Sequence, residues 1–467
     1  MGGLGGMGSV KAKTPGSGGA TDESTDVDAD GDGWPASVDC DDEDPSVFPG
    51  ADEIPYDGID QDCSGSDWDD LDGDGYPGGP NGTDCDDTRA DIHPGRLEIP
   101  LDGVDQDCDG SDLVGTDSFV PIASASAVVG DSPHIASGRG GDGEEVALVV
   151  WPDSRRALRQ DIYARFLGAD GQSRSREFGV ALGGLTKSNV RVASKGDGFL
   201  VVWDDADAAW AQLVGSDGSL DGAPFGVGEP GASKPVAAWG GANWAVAWKR
   251  GDLGELRIRG VSAEGVRAQK VEIMARPGHA TTNGTTLALA GGKEAFLAVW
   301  HDEGIYGRLV GATGVPVGEV FAISNEPTVA TPAVASAENG YFVTFRRGAG
   351  SMSVRGKLVE ANGSVLDPAS SQRLSDDTIG IGGLQVVAAL DDRHFLFWND
   401  DRHRIGSPPY NAIYGNAVSP GGPLWPSGAG IHVDVTASLG GVAVVDSSLL
   451  IVSRVGSTYG VVVREAP

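Results

Sequence analysis

From Asp117 to the end of the chain, short apolar runs alternate with turns rich in glycine and acidic residues. Six runs close on an aromatic: Val146–Trp151, Phe199–Trp203, Trp244–Trp248, Phe296–Trp300, Tyr341–Phe345 and His394–Trp398. The closing aromatics stand at 151, 203, 248, 300, 345 and 398, so their spacings are 52, 45, 52, 45 and 53 residues. Short apolar runs bounded by turn residues predict strands. After each anchor a loop leads to a second, alternating strand: Ile162–Leu167, Trp210–Val214, Leu256–Val261, Ile305–Val310, Val354–Val359 and Ala412–Val418. Most of these end in an x-Gly turn, as at Asp170-Gly171, Asp217-Gly218, Glu264-Gly265 and Asn362-Gly363. A further short strand precedes the next unit.

Units of roughly 45–50 residues with four short strands each are the pattern of β-propeller blades. A seventh unit is truncated: Val442–Val445, Leu449–Arg454 and Gly460–Arg464, after which the chain stops. Phe119–Ala123 is positioned to supply the missing outer strand. That exchange joins the two chain ends and removes sheet edges that would otherwise pair with other molecules. The expected fold is all-β, a seven-bladed β-propeller over 117–467 with six or eight blades as the alternatives. A pair of β-sandwiches is the competing architecture.

Charge changes the picture at the other end. The formal net charge is -34, and residues 22–112 hold 31 of the 68 acids against Arg89 and Arg96 alone. Nucleic acid and anionic membranes are excluded as partners of such a chain, since both are polyanions. No run of eighteen apolar residues exists, so no transmembrane helix is expected. Residues 1–21 read as a disordered Gly/Ser-rich leader without an apolar h-region, so no export signal is visible; a longer native chain is the other reading.

The acidic stretch is a duplication, with one unit over 22–68 and a second over 69–113. The first runs Asp28-Ala-Asp30-Gly-Asp32-Gly33-Trp34, Asp39-Cys40-Asp41-Asp42, Pro49-Gly50, Glu53-Ile-Pro55 and Asp57-Gly58-Ile-Asp60-Gln61-Asp62-Cys63. The second runs Asp70-Leu-Asp72-Gly-Asp74-Gly75-Tyr76, Asp84-Cys85-Asp86-Asp87, Pro94-Gly95, Glu98-Ile-Pro100 and Asp102-Gly103-Val-Asp105-Gln106-Asp107-Cys108. Calcium takes roughly six to eight oxygens at flexible geometry, and carboxylates at alternate positions before a turn glycine supply them. Asp28, Asp30 and Asp32 fit loop positions 1, 3 and 5, the Trp34 carbonyl position 7, and Asp39 position 12. In the second unit Asp70, Asp72, Asp74 and Tyr76 correspond, and Asp84 closes a loop three residues longer. No apolar helix flanks either loop, so neither is an EF-hand. Asp41, Asp42, Asp57, Asp60 and Asp62, with Asp86, Asp87, Asp102, Asp105 and Asp107, make a further carboxylate set and admit more than one ion per unit. A solvated acidic linker would explain the charge, but not the spacing, glycines, cysteines and duplication together.

All four cysteines lie here, 23 apart in each unit, which favours Cys40–Cys63 and Cys85–Cys108 among three connectivities. Each bridge is worth roughly 3 kcal/mol to so small a fold. Zinc lacks ligands, with no C-x-x-C and His93 alone nearby, and copper prefers imidazole and sulfur. His93 reads as a turn residue.

These residues resemble the metal-binding repeat of myxobacterial and related bacterial surface proteins, a family sometimes labelled copper-binding. Its pattern runs D-x-D-G-[WY], D-C-D-D, P-G, E and D-G-x-D-Q-D-C-D-G-x-D. Both units match, except that Ser64 stands where the second unit has Asp109. The resemblance spans about 85 residues and implies an extracellular or cell-surface protein; a more distant likeness is to the calcium-binding type 3 repeats of thrombospondins.

For the β region, Trp151, Trp203, Trp248, Trp300 and Trp398 admit carbohydrate stacking, but their place on apolar strands favours packing between blades. Asp153, Asp205, Asp302 and Asp400 follow two residues later and either cap turns or face the central channel. Arg165, Arg257, Arg259, Arg308 and Arg355 admit a channel-lining ring for an anionic ligand, but their pattern favours exposed strand positions. Neither G-x-S-x-G, H-E-x-x-H nor a sialidase-type S-x-D-x-G-x-T-W box is present. The leading expectation is a non-enzymatic, adhesive surface protein of bacterial type, a calcium-rigidified acidic stalk presenting a propeller to a protein or glycan. The alternative is a secreted propeller enzyme, a polysaccharide hydrolase or lyase with accessory repeats.

Overall fold

The computed structural model describes residues 27–80, 82–94, 96, 104–106, 108, 120–123, 132–155, 159–206, 208–251, 255–273, 286–325, 332–337, 339–348, 353–366, 372–375, 385–390, 393–405, 410–419, 422–423, 431–434, 438–455 and 458–465. The expected leader and the candidate ligands Asp102 and Asp107 lie outside them. The chain divides into two units, 1–98 with 104–112, and 99–103 with 113–467.

The larger unit is an all-β propeller. Six antiparallel sheets are each built from strands consecutive in the chain. The first is typical, running His134–Arg139, Glu145–Asp153, Asp161–Leu167 and Phe178–Ala181. A further sheet combines Ser438–Val445, Ser448–Val455 and Thr458–Glu465 with Val120–Pro121 from the other end of the unit. There Val120 lies opposite Val461 and Pro121 opposite Gly460.

The aromatic-terminated anchors are the second strands of their sheets: Glu145–Asp153, Gly198–Asp204, Asn243–Arg250, Ala295–His301, Gly340–Arg347 and Arg393–Ile405. Gly198–Asp204 is buried along its whole length, which is why these strands read as continuous apolar runs rather than alternating ones. The first strands carry a weaker signal, as in Ser188–Ser194 or Ala333–Ala337. They pack side by side in a closed cycle, each against the first strand of the next sheet, so small residues are favoured there. Gly291 shows the tightness. A Cβ at that position would stand 1.8 Å from the carbonyl oxygen of Trp239 on the neighbouring first strand.

The core is the set of interfaces between successive sheets. Trp151 packs on Val445, Leu450 and Val452 of the last sheet, Trp248 on Leu200 and Val202, and Trp300 on Ala245 and Ala247. Trp398 packs on Phe342 and Val354. Exposures of 0% for Trp151, Trp248, Trp300 and Trp398, and 2% for Trp203, rule out carbohydrate stacking on these rings. Burial of so much aromatic area at each interface holds neighbouring sheets together.

Candidate metal centre

In the smaller unit the chain forms turns rather than regular elements, and the turns are made by carboxylates accepting from nearby backbone amides. Asp28 accepts from Gly31 N (2.7 Å, Oδ1) and Gly33 N (3.1 Å, Oδ2). Asp30 accepts from Asp32 N (3.1 Å), and Asp32 from Trp34 N (2.8 Å). The second repeat copies the pattern. Asp70 accepts from Gly73 N (2.8 Å) and Gly75 N (3.0 Å), Asp72 from Asp74 N (3.1 Å), and Asp74 from Tyr76 N (2.9 Å). Gly33 and Gly75 have φ of 105° and 96°, a backbone that an L side chain would strain. Two loops of unequal length thus reach the same hydrogen-bonded conformation, because the ligand run itself is unchanged and the three extra residues fall between Tyr76 and Asp84.

This folding brings carboxylate oxygens of Asp28, Asp30 and Asp32 within 4.8 Å of one another, and likewise those of Asp70, Asp72 and Asp74. Asp39 and Asp84 are nine-tenths buried. In both repeats the Oδ2 atoms of the corresponding residues, Asp30 and Asp72, Asp32 and Asp74, Asp39 and Asp84, are buried without a hydrogen-bond donor among the described residues. Asp87 Oδ1 is a further such atom. Burial raises the carboxyl pKa of Asp30, Asp72 and Asp84, and neighbouring carboxylates add to it: Asp32, Asp39 and Asp28 around Asp30, and Asp74, Asp72 and Asp87 around Asp84. Like charges packed this closely, with one oxygen each lacking a donor among the described residues, form a site that could hold a cation.

The remaining predicted ligands divide. Asp60 and Asp62 come together with Glu53. Glu53 Oε1 accepts from Asp62 N (2.6 Å), while Glu53 Oε2 and Asp67 Oδ1 are buried without a donor among the described residues. Glu53 and Asp67 were missed as ligands by sequence reasoning, although each repeats in the second unit as Glu98 and Asp112, which is a usable signal. Asp57 instead holds its own turn, accepting from Ile59 N (2.8 Å) and Gln61 Nε2 (2.7 Å). Asp41 and Asp86 serve turns likewise, at Glu43 N (3.4 Å) and Thr88 Oγ1 (2.7 Å). Asp42 accepts from Ala29 N (3.1 Å), and Asp87 in the equivalent place from Leu71 N (3.2 Å). The backbone carbonyl oxygen of Asp105 lies 3.3 Å from Cys85 Sγ, a disulfide sulfur with no proton to donate.

Cys40 is bridged to Cys63 and Cys85 to Cys108, with Cα separations of 5.7 and 5.5 Å. No thiolate is therefore available in either repeat. His93 stacks on Tyr76, ring centroids 4.6 Å apart and 11° from parallel. The two repeats also touch. The Tyr56 hydroxyl donates to Asp87 Oδ2, which pushes the phenol pKa up to about 12, with burial contributing.

In the propeller, Asp153 and Asp205 cap turns, accepting from Arg155 N (2.7 Å) and Ala208 N (3.0 Å). Asp302 is buried, and the side chain of Asp400 lies outside the described residues. The five arginines lie on third strands. Arg308 bonds the Gly318 carbonyl (2.9 Å), Arg355 the Ser353 hydroxyl (3.2 Å) and Arg257 the Glu255 carboxylate (2.9 Å). Among the described residues none of them lines the cavity on the propeller axis, as the favoured reading of strand positions away from the channel expected, because the third strand is two strands away from the axis; they are half-buried rather than exposed.

A family model, Cu-binding_MopE, described as "Putative metal-binding motif", matches residues 39–70 and 84–112. No curated protein matches the chain. Among solved structures it is similar to the Neurospora crassa Pan2 WD40 domain, at 8% identity over 57% of this chain and 72% of that one, TM-score 0.37. It is also similar to the β-propeller domain of the Trilobed protease from Pyrococcus furiosus, at 10% identity over 59% and 82%, TM-score 0.38. The chain carries two copies of this metal-binding motif, each with its disulfide, followed by a β-propeller domain.

Proposed function

We propose that the two repeats bind calcium and that the protein works outside the cell, with the propeller as its recognition domain for a protein or glycan. The observation that carries the metal reading is the matched set of donor-less, buried Oδ2 atoms at Asp30, Asp32 and Asp39 and at Asp72, Asp74 and Asp84. Calcium rather than copper follows from the donors. They are carboxylate oxygens, with both cysteine pairs oxidised and the neighbouring imidazole stacked on Tyr76. Glu53, Asp60, Asp62 and Asp67 would hold a second ion in the first repeat. Two disulfides in a domain of few buried apolar side chains support an oxidising compartment.

The ring is read as seven-bladed, the sheet shared between Val120–Pro121 and the last three strands being the seventh blade. Seven inter-sheet apolar clusters among the described residues support this count. Calcium would neutralise the repelling carboxylates and order residues 27–112 as a spacer ahead of the recognition domain. The test is calorimetric titration of the whole chain with calcium, magnesium and copper(II), paired with limited proteolysis. Calcium-selective binding with protection of residues 27–112 is the expected result. Copper binding tighter than calcium, or cleavage at equal rates with and without calcium, would overturn it.

A further inference from the structure

On the propeller axis lies a cavity of about 390 Å³, walled by first strands. Among the described residues its charged lining is basic: Arg191 and Lys234 line it, with His134 and Asn189 beside them, and no carboxylate is among those lining residues. In a chain with 68 acids and 34 basic residues, a described lining without an acid is not what composition alone would produce. The polar groups come from three successive sheets. Across from them the wall is apolar, formed by Leu287, Leu289, Val334 and Val442 among others.

The basic side is held in place by its surroundings. Asn189 and Lys234 occupy equivalent positions on Ser188–Ser194 and Ala232–Trp239, each at a register shift in its strand pairing. Both have left-handed backbone, with φ of 50° and 51°. That conformation is costly for residues other than glycine and persists only where neighbours enforce it. Asp204 enforces it here. Its buried carboxylate accepts from Ser188 Oγ (2.9 Å), Asn189 Nδ2 (2.9 Å) and the backbone N of Lys234 (2.6 Å). His134 is fixed as well. Val192 N donates to its Nδ1 at 3.3 Å, so the ring proton sits on Nε2 and the neutral imidazole remains a donor.

We propose that this axial cavity binds a small organic carboxylate with an apolar body, its carboxylate against Lys234, Arg191 and His134 and its body against the apolar wall. The volume falls within the range of small-molecule sites, roughly 300–1,000 Å³, and a mostly apolar lining with a few convergent polar groups is their usual make-up. Without the apolar body, the wall across from the basic side would be left facing water, so a bare inorganic anion fits less well.

The experiment titrates the full chain, with calcium present, with sodium octanoate, its neutral counterpart 1-octanol, and inorganic phosphate, followed by calorimetry or saturation-transfer NMR. Octanoate is expected to bind at least roughly tenfold more tightly than either of the others. Lys234→Asn removes the ammonium while keeping a residue tolerant of left-handed backbone. It is expected to weaken octanoate roughly tenfold, at unchanged thermal unfolding. Arg191→Gln is the second variant, expected to act in the same direction. Equal binding of octanol and octanoate would overturn the proposal, as would phosphate binding as tightly as octanoate. Absence of octanoate binding, or octanoate affinity indifferent to both substitutions, would also overturn it.

Discussion

Tyr56 of the first repeat donates its hydroxyl to Oδ2 of Asp87 in the second, across 31 residues of sequence. Asp87 already accepts from Leu71 N through the same oxygen, and its Oδ1 is one of the buried atoms without a donor among the described residues. The phenol therefore orients a carboxylate of the second candidate site from outside it. Partners of this kind typically change metal affinity by roughly tenfold or more when removed. Tyr56→Phe is expected to weaken calcium at the second repeat by about tenfold while leaving the first within a factor of about two. Calcium titrations of wild type and variant, with and without Asp30→Asn and Asp62→Asn to silence the first repeat, would show it. Equal affinities would mean that Tyr56 only packs against the chain.

Asp39 and Asp84 make a prediction that changes sign with calcium. Each places a nine-tenths buried carboxylate beside other acids, so without a cation it is repelled, and with one it is a ligand. Asp84→Asn is expected to raise the unfolding temperature of residues 27–112 in chelator and to lower it in calcium, with affinity reduced by at least roughly tenfold. Asp39→Asn should behave alike in the first repeat. Differential scanning calorimetry in the two conditions is the measurement. A variant destabilised equally in both would be reporting lost packing instead.

What was legible in the sequence is what is local in it. Asp28, Asp30 and Asp32 lie within five residues, so spacing alone places them on one loop, and the burial of Trp151, Trp248 and Trp300 follows from their place at the ends of apolar runs. The Cys40–Cys63 bridge was legible for another reason, because duplication repeats its interval at Cys85–Cys108. Contacts that cross the chain were harder to read, although Glu53 recurs as Glu98 in the second unit. Glu53 meets Asp60 and Asp62 through an intervening turn, and Tyr56 reaches the other repeat. The first strands were faint because an inner ring selects small residues over a strong apolar alternation, as in Leu287–Gly291. For that reason the cavity side chains His134, Arg191 and Lys234 went unnoticed.

The inner ring can be tested at one atom. Gly291 and Trp239 approach so closely that a methyl group at 291 would overlap the Trp239 carbonyl oxygen and lie 3.1 Å from Gly240 N. Both sides of the clash are backbone, so relief requires two neighbouring sheets to move apart. Gly291→Ala is expected to destabilise the propeller by about 1–3 kcal/mol, the range for overpacking a filled interior. Urea denaturation followed by tryptophan fluorescence would measure it. A change below about 0.5 kcal/mol would show that the ring opens at this point without cost.

His134 gives the propeller a pH dependence of defined sign. Burial, with the positive charge of Arg191 adding to it, pushes its pKa down to about 3 from an ordinary 6.5. The native state therefore keeps the imidazole neutral while the unfolded chain takes up a proton below pH 6.5. Stability that is fully present above that value is lost as pH falls from 6.5 toward 3. The single-site slope approaches about 1.4 kcal/mol per pH unit once the unfolded imidazole is fully protonated. The difference between wild type and a variant lacking this imidazole, followed from pH 7 to 5, isolates its contribution from those of the other titrating groups. His134→Gln should flatten the dependence of the urea midpoint on pH across that interval, whatever its effect on stability at pH 7. Parallel curves for wild type and variant would show that His134 is protonated as readily in the fold as out of it.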